Sequence, residues 1–529
     1  MSKNTNVTKL TLIAGSAVVT ALSPAAHADS SSDALINKLE QKGILSADEA
    51  KELRVESAQS DTNLINQLPA SKWKIADSIK SIGLFGDVRL RYEYRGADNP
   101  FPSPEPGTTV GNGNSGETGK TYQRERFRYA VRFGIRGDLL DDWSYGVRLE
   151  TSANPRSPWV TFGDDTGKSS GTPISGTPSD KSNDGINIGQ AYLGWHPEPW
   201  FQMIAGKMPM PLYTTPMVWD ADINPEGAFE KVQYTLGPVD IFVDAGQFDY
   251  QDPSVSRAVV TSDTFILANQ AGVNVRLGKD MSFKVAPTAY VYAGHGNPPA
   301  PQTTADNSPA NYRNNLYYPF VGQGDPSGST QGFNATYNQN GINDLLVLEL
   351  PMEFNFKLPH TPLGPLQARL FGDLAYNCEG DSRARAAFAA APAAFPGMSQ
   401  AATGQNLAYQ VGIGIGSDGP VYGPTQGLVY GSTSKKHTWE ARFYWQHVEQ
   451  YALDVNLLDS DFFEGRANLE GFYASFAYSI TDAIIGTIRY GTADRINSNL
   501  GTGGNNLDLP ALNPIRNYQL VQLDLTWRF

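Results

Sequence analysis

Alternation with a period of two is the feature that most constrains this chain. Leu84, Val88, Leu90, Tyr92 and Tyr94 alternate with Asp87, Arg89, Arg91, Glu93 and Arg95, and Phe127, Tyr129, Val131, Phe133 and Ile135 alternate with Arg126, Arg128, Arg132 and Arg136. A third segment sets Trp143, Tyr145, Val147 and Leu149 against Arg148 and Glu150. Each run is a strand with one apolar and one wet face. About 16 such segments of roughly 9 to 14 residues run from Gly83 to Phe529, the length a tilted strand needs to cross a hydrocarbon layer.

The links between them alternate in length. Short ones include Leu139 to Asp142, His196-Pro197-Glu198-Pro199, Gly237-Pro238, Gly278-Lys279-Asp280 and Thr481-Asp482; long ones leave from Gly96, Ser152, Met208, Tyr250, Gly294, Asn377, Gln450 and Thr492. A soluble β-protein has no reason to alternate in this way, whereas a transmembrane barrel has short turns on one side and long loops on the other. The fold expected is all-β, a transmembrane antiparallel β-barrel of about 16 strands, or 18 if Val421 to Gly431 hides a strand pair in the long Ser417–Lys436 link. The link that begins at Gly294 is rich in Pro, Asn and Gly and far longer than ordinary connections, which makes it a candidate constriction loop.

Lys3 and Lys9, the apolar run Leu10 to Leu22, and Ala26-His27-Ala28 before Asp29 read as a secretory signal peptide, residues 1–28. The absence of a cysteine after the cleavage site argues against a lipoprotein. Residues 29–56 read as a helical stripe, Leu35, Leu39, Ile44, Leu45, Ala50 and Leu53, with a capping box at Ser46-Ala47-Asp48-Glu49, expected to stand in the periplasm as a trimerising coiled coil or a contact with the cell wall, or else as a small docking appendage or plug of the barrel base. Residues 57–82 read as a polar linker and 83–529 as the barrel. Past the leader no window approaches the roughly 20 apolar residues a membrane helix needs, and mean hydropathy is −0.36. A barrel escapes that test because every second residue is polar. It is instead signalled by aromatics, here 24 Phe, 9 Trp and 25 Tyr, and the single cysteine, Cys378, rules out an internal disulfide framework. The net charge of −13 excludes nucleic-acid binding by bulk electrostatics.

The chain ends on Val521, Leu523, Leu525, Trp527 and Phe529 alternating with Gln522, Asp524, Thr526 and Arg528. This aromatic ending resembles the terminal strand of bacterial outer-membrane β-barrels, which the barrel-assembly machinery reads. With Leu39-Glu40-Gln41-Lys42-Gly43-Ile44-Leu45-Ser46, Gly206-Lys207-Met208-Pro209 and Trp219-Asp220-Ala221-Asp222-Ile223-Asn224-Pro225-Glu226-Gly227, the chain resembles the putative-porin family of bacterial outer-membrane proteins, distantly similar to phosphate-selective porins. The resemblance implies a passive diffusion channel, a homotrimer, in the outer membrane of a Gram-negative cell, with lipid and lipopolysaccharide around it and small hydrophilic solutes or ions passing through.

In such a barrel the wet faces set field and width. The pore-lining candidates are Arg89, Arg91, Glu93, Arg95, Arg126, Arg128, Arg132, Arg136 and Arg148. Sorted by alternation, the inward charges also include Lys231, Arg276, Lys284, Arg369, Arg442, Arg489 and Arg528, against Asp87, Glu150, Glu349, Glu353, Asp373, Glu440, Glu470 and Asp524, so cations prevail. Rows of arginine give a weak anion preference if they face acids across the lumen, and little selectivity if they pair with neighbouring acids. Asp220, Asp222, Asn224 and Glu226 are constriction or turn candidates. Their oxygens alternate like the start of a calcium loop, but Pro225 stands where that loop has glycine, so capping the turn or reaching lumen arginines is the expected role.

His437, Trp439, Trp445 and His447 fit a lipid-facing aromatic girdle, and no triad or metal spacing appears. The expectation is therefore no enzyme, cofactor or metal. The rival reading is a structural or adhesive outer-membrane protein with a closed lumen and partner-binding loops.

Overall fold

The computed structural model describes residues 76–98, 121–152, 157–162, 185–251, 264–293, 345–390, 398–417, 435–455, 457–500, 502 and 515–529. The expected leader 1–28, the segment 29–56 expected to be helical, most of the expected linker 57–82, the long link after Gly294 and the stretch from Val421 to Gly431 lie outside them.

The barrel strands are β1 (Gly83–Asp98), β2 (Thr121–Asp138), β3 (Trp143–Thr151), β4 (Ile186–Glu198), β5 (Phe201–Lys207), β6 (Glu226–Leu236), β7 (Val239–Gln251) and β8 (Thr264–Leu277). They continue as β9 (Met281–Val285 and Thr288–Ala293), β10 (Leu346–Glu349 and Met352–Leu358), β11 (Leu366–Asn377), β12 (Leu407–Ser417), β13 (Trp439–Val448), β14 (Leu469–Ser479), β15 (Ile484–Arg495) and β16 (Asn517–Arg528). Pro287 and Pro351 cannot donate to a ladder, and there β9 and β10 are each broken in two. A two-residue ribbon, Val160–Thr161, extends the wall beside β2, and one helix, α1 (Gly380–Ala390), lies in the link after β11.

Each strand runs antiparallel to the next, and β1 closes on β16 from Asp87 opposite Arg528 to Ala97 opposite Tyr518. The result is a closed antiparallel barrel of 16 strands. Closure satisfies every ladder without leaving an edge, the one way a sheet can cross hydrocarbon. Ile79, at the end of the linker region, bridges to Leu139, and the Lys80 amide donates to the Asp138 carbonyl at 2.8 Å.

Alternation sorts the faces. Leu84, Leu90, Phe127, Phe133, Val243, Phe443, Ile488, Leu523 and Leu525 are exposed on the outer wall, while Arg89, Arg91, Gln270, Glu349, Arg369, Arg442, Arg489 and Asp524 are buried on the inner one. Around the short-turn end runs a belt of rings: Trp143 stacks on Trp195, Trp195 meets Phe201, Trp439 stacks on Phe476, and Phe529 packs against Trp527 and Phe133. Such belts sit at the membrane interface because one edge of the ring is apolar and the other tolerates water.

Two corrections to the alternation reading follow. Glu470 shares the outer face of β14 with Phe472 and Phe476, where it bonds His447 at 2.9 Å, so it is no lumen charge. The pattern also misses Arg124 on β2 and Asp240 and Asp244 on β7, which stand on the inner face.

Candidate solute pathway

Two segments turn into the barrel. Residues 208–225, between β5 and β6, bury Met208, Leu212, Tyr213, Met217, Val218 and Trp219. Residues 449–468, between β13 and β14, bury Leu453, Val455, Leu457, Leu458, Phe462 and Phe463. Such apolar content would be costly in a loop facing water, and it is removed from water here. The first segment leaves the wall where Gly206 faces Gly227, with φ of 117° and 146°. A Cβ at either glycine would collide with a neighbouring backbone carbonyl, that of Ala191 or Gln247.

The segments interlock. The Asp220 amide donates to the Leu457 carbonyl at 2.6 Å, the Asp459 amide to Pro216 at 3.1 Å, and the Ser460 amide to the Asp220 carboxylate at 3.0 Å. Both are also tied to the inner wall on many sides. From the first segment Asp222 pairs with Arg132 of β2, Asn224 accepts from Gln190 of β4 at 2.9 Å, and Tyr213 exchanges two bonds with Gln270 of β8. Thr214 donates to Glu349 of β10 at 2.6 Å and Thr215 to Asp373 of β11. From the second, Asp454 accepts from Tyr292 of β9 at 3.0 Å, and Asp461 pairs with Arg91 of β1 at 2.6 Å. Contacts with strands all round the ring place both segments inside it.

Most of the arginines singled out from the sequence gather on this network. Glu93 is its hub: Arg126 donates to it at 2.6 Å, Arg95 lies at 3.1 Å, Arg128 at 3.6 Å and Arg91 at 3.7 Å, and Gln522 donates at 2.9 Å. Arg91 also grips Asp524 of β16 through two bonds, of 2.8 and 2.9 Å, and its guanidinium lies 4.0 Å from the centre of the Trp159 ring. Arg489 joins the same Asp524. Arg89 pairs with Asp87 at 2.7 Å and Arg148 with Glu150 at 2.8 Å, whereas Arg136 lies over the Phe85 ring at 4.9 Å, away from the cluster. Arg91 and Arg95 are 2% and 1% exposed, so much of their charge is spent on neighbours instead of facing a passing solute.

Burial pushes the Asp461 carboxyl up, but the guanidiniums of Arg91, Arg489 and Arg95 outweigh it and hold the group below the usual range. Asp459, two residues earlier, has the opposite fate: burial, with the charges of Asp220 and Asp461, pushes it well above the ordinary carboxylate value.

Asp220, Asp222 and Asn224 send their oxygens to different partners, respectively the amides of Asp222 and Ser460, the Arg132 guanidinium and the Gln190 amide. Glu226 stands apart on the outer wall, paired with Lys207 at 2.9 Å. Among the described residues no group of three metal-ligating side chains comes together. On the outer wall, His447 stacks on Tyr409 and Trp445 is exposed.

The whole 449–468 segment escaped the sequence reading as a lumen element, and with it Asp459, Asp461, Glu464 and Arg466. The signal available was its composition, Leu453 to Gly465, too apolar and aromatic for a loop in water.

A closed barrel with its polar face inward, an apolar wall outward and loops drawn into the lumen defines an integral outer-membrane channel protein. A family model described as Putative porin matches residues 66–529, and the chain belongs to that family. No curated protein matches the sequence significantly. Similar solved structures include the outer membrane channel DcaP of Acinetobacter baumannii, at 14% identity and TM-score 0.36 over 86% of this chain and 99% of that one. OprB of Pseudomonas putida is similar at 9% identity and TM-score 0.41, over 84% and 94%. An anion-selective porin from Comamonas acidovorans is similar at 10% and 0.38, over 85% and 99%.

Proposed function

We propose that this protein is a porin through which small hydrophilic solutes or ions diffuse passively, filtered by size at the two interlocked inward segments and by charge along an arginine-lined lumen. The observation that carries the reading is the interlock of residues 208–225 with 449–468 inside a sixteen-strand barrel, which supports a passive channel whose width these two segments would set. Pairing of Arg91, Arg95, Arg126, Arg132 and Arg148 with carboxylates balances charge locally, so the anion preference is weak. Delivery to the membrane runs through the barrel-assembly machinery acting on the strand that ends at Phe529, with the amino-terminal segment left in the periplasm. No cofactor or catalytic step enters this reading.

The depth of burial along the interlock favours one alternative, a structural or adhesive protein with a closed lumen. Single-channel conductance in a planar bilayer under a salt gradient separates the two. Stepwise openings with a small anion bias are expected; persistent silence of correctly folded protein overturns the porin reading in favour of the closed one.

A further inference from the structure

Residues 157–162 lie against β2 as a short extra piece of wall. Val160 stands opposite Tyr129 and Thr161 opposite Arg128, the Phe162 amide donates to the Phe127 carbonyl at 2.9 Å, and the Thr151 hydroxyl donates to the Pro158 carbonyl at 2.7 Å. Alternation puts Trp159 on the same side as Thr161, the inner one that also carries Arg128. There the indole is 6% exposed and lies beside two guanidiniums, its centre 4.0 Å from that of Arg91 and 5.8 Å from that of Arg128. These two arginines face each other across β1 and β2, an arrangement in which like charges repel. An aromatic face beside both attracts both. The Trp159 carbonyl also accepts from Arg128 at 3.4 Å.

We propose that Trp159 is a positioning residue for charge selection: it covers Arg91 and Arg128, keeps both guanidiniums turned to the acids of the wall, and so limits the anion preference of the lumen. The inference rests on the porin reading and adds that one indole, besides the ion pairs, sets how much arginine charge a passing solute meets. A guanidinium held at its edges still offers its flat faces to water or to an anion, and those faces are where an aromatic ring stacks. Arg91 has its edges on Asp461 and Asp524, and Trp159 takes a face. Arg128 reaches Glu93 at 3.6 Å, and that carboxylate is shared with Arg126, Arg95 and Arg91. The indole is apolar and excludes water from these pairs, which strengthens them by lowering the local dielectric. Without it water enters, the pairs weaken, and the guanidiniums turn toward the lumen.

The test is the reversal potential of single channels in a planar bilayer under a salt gradient. Trp159→Ala should shift it toward anions, and Trp159→Phe, which keeps an aromatic face, should hold the wild-type value. Once Arg91 and Arg128 are both Gln, Trp159→Ala should produce no shift; a ring that only props up the wall would act alike in either background. A second arm reads the cover itself and needs no conducting lumen. Phenylglyoxal labelling of the folded protein in liposomes, mapped by peptide mass spectrometry, should be slow at Arg91 and Arg128 in the wild type and faster in Trp159→Ala. Arg136, exposed and away from the cluster, should be labelled equally in both. Where Trp159→Ala does not give the heat-modifiable folded form, Trp159→Leu, which lacks a π face, takes its place with the same expected shifts. An unchanged reversal potential in a conducting variant, unchanged labelling, a shift that survives loss of both arginines, or a Phe variant displaced as far as the Ala variant would each overturn the inference. Silence of the folded wild type with faster labelling in the variant would overturn the porin reading and retain Trp159 as the cover.

Discussion

Arg91, on the first barrel strand, and Asp461, in the segment that turns inward before β14, meet at 2.6 Å in the interior. The contact fastens a loop to the seam where β1 closes on β16, because the same guanidinium holds Asp524. Barrel closure and loop position are therefore one interaction network.

Arg91→Gln takes the nearest guanidinium from two buried carboxylates at that seam, Asp461, which keeps Gln522, and Asp524, which keeps Arg489. Removing one partner of a buried pair costs about 3–5 kcal/mol. The urea midpoint of the liposome-reconstituted barrel should fall accordingly, and open-channel current noise should rise as residues 449–468 loosen. An unchanged midpoint would show that the pair adds nothing to the fold.

Changing Arg89, Arg91, Arg128 and Arg132 together to Gln leaves Glu93, Asp222, Asp461 and Asp524 with less compensation. The reversal potential in a salt gradient should shift toward cations. An unchanged anion-to-cation ratio would remove these arginines from selectivity.

The two aspartates of the inward segment respond oppositely to pH. Asp461 is depressed in the fold, so the stability it contributes is present above the unfolded value of about 3.9 and is lost as pH falls through the folded one. Asp459 is raised, so the unfolded chain ionises first as pH climbs past about 3.9, and its contribution worsens until the folded value is passed. Asp459→Asn should flatten the alkaline side of a stability-against-pH curve and leave the acid side intact; identical curves for variant and wild type would refute the assignment.

Gly227→Ala places a Cβ against the Gln247 carbonyl at a φ of 146°, a backbone state that costs about 1–3 kcal/mol for other residues before the collision is counted. The yield of folded, heat-modifiable barrel should drop sharply, whereas Gly237→Ala, in a turn where a Cβ meets nothing within 4 Å, should be far milder.

If the ring acts as an assembly signal, as proposed, besides packing against Trp527 and Phe133, Phe529→Ser should reduce insertion in cells more than refolding into detergent. Equal losses in both assays would make it a packing residue alone.

The sequence by itself determined the barrel, a strand count of 16 or 18 and the face of almost every strand charge, because a period of two is a local property and the hydrocarbon thickness fixes strand length. It failed at Glu470, where polarity was taken for inwardness although the pleat puts that residue beside Phe472. It also could not decide between arginines that face solutes and arginines that pair. That choice depends on residues far apart in the chain, Arg91 with Asp461 and Arg132 with Asp222, brought together only when closure folds two loops into one lumen. Tertiary structure alone decided what stands inside the barrel, since a loop's destination is set by the apolar surface it can bury and the wall partners it finds there.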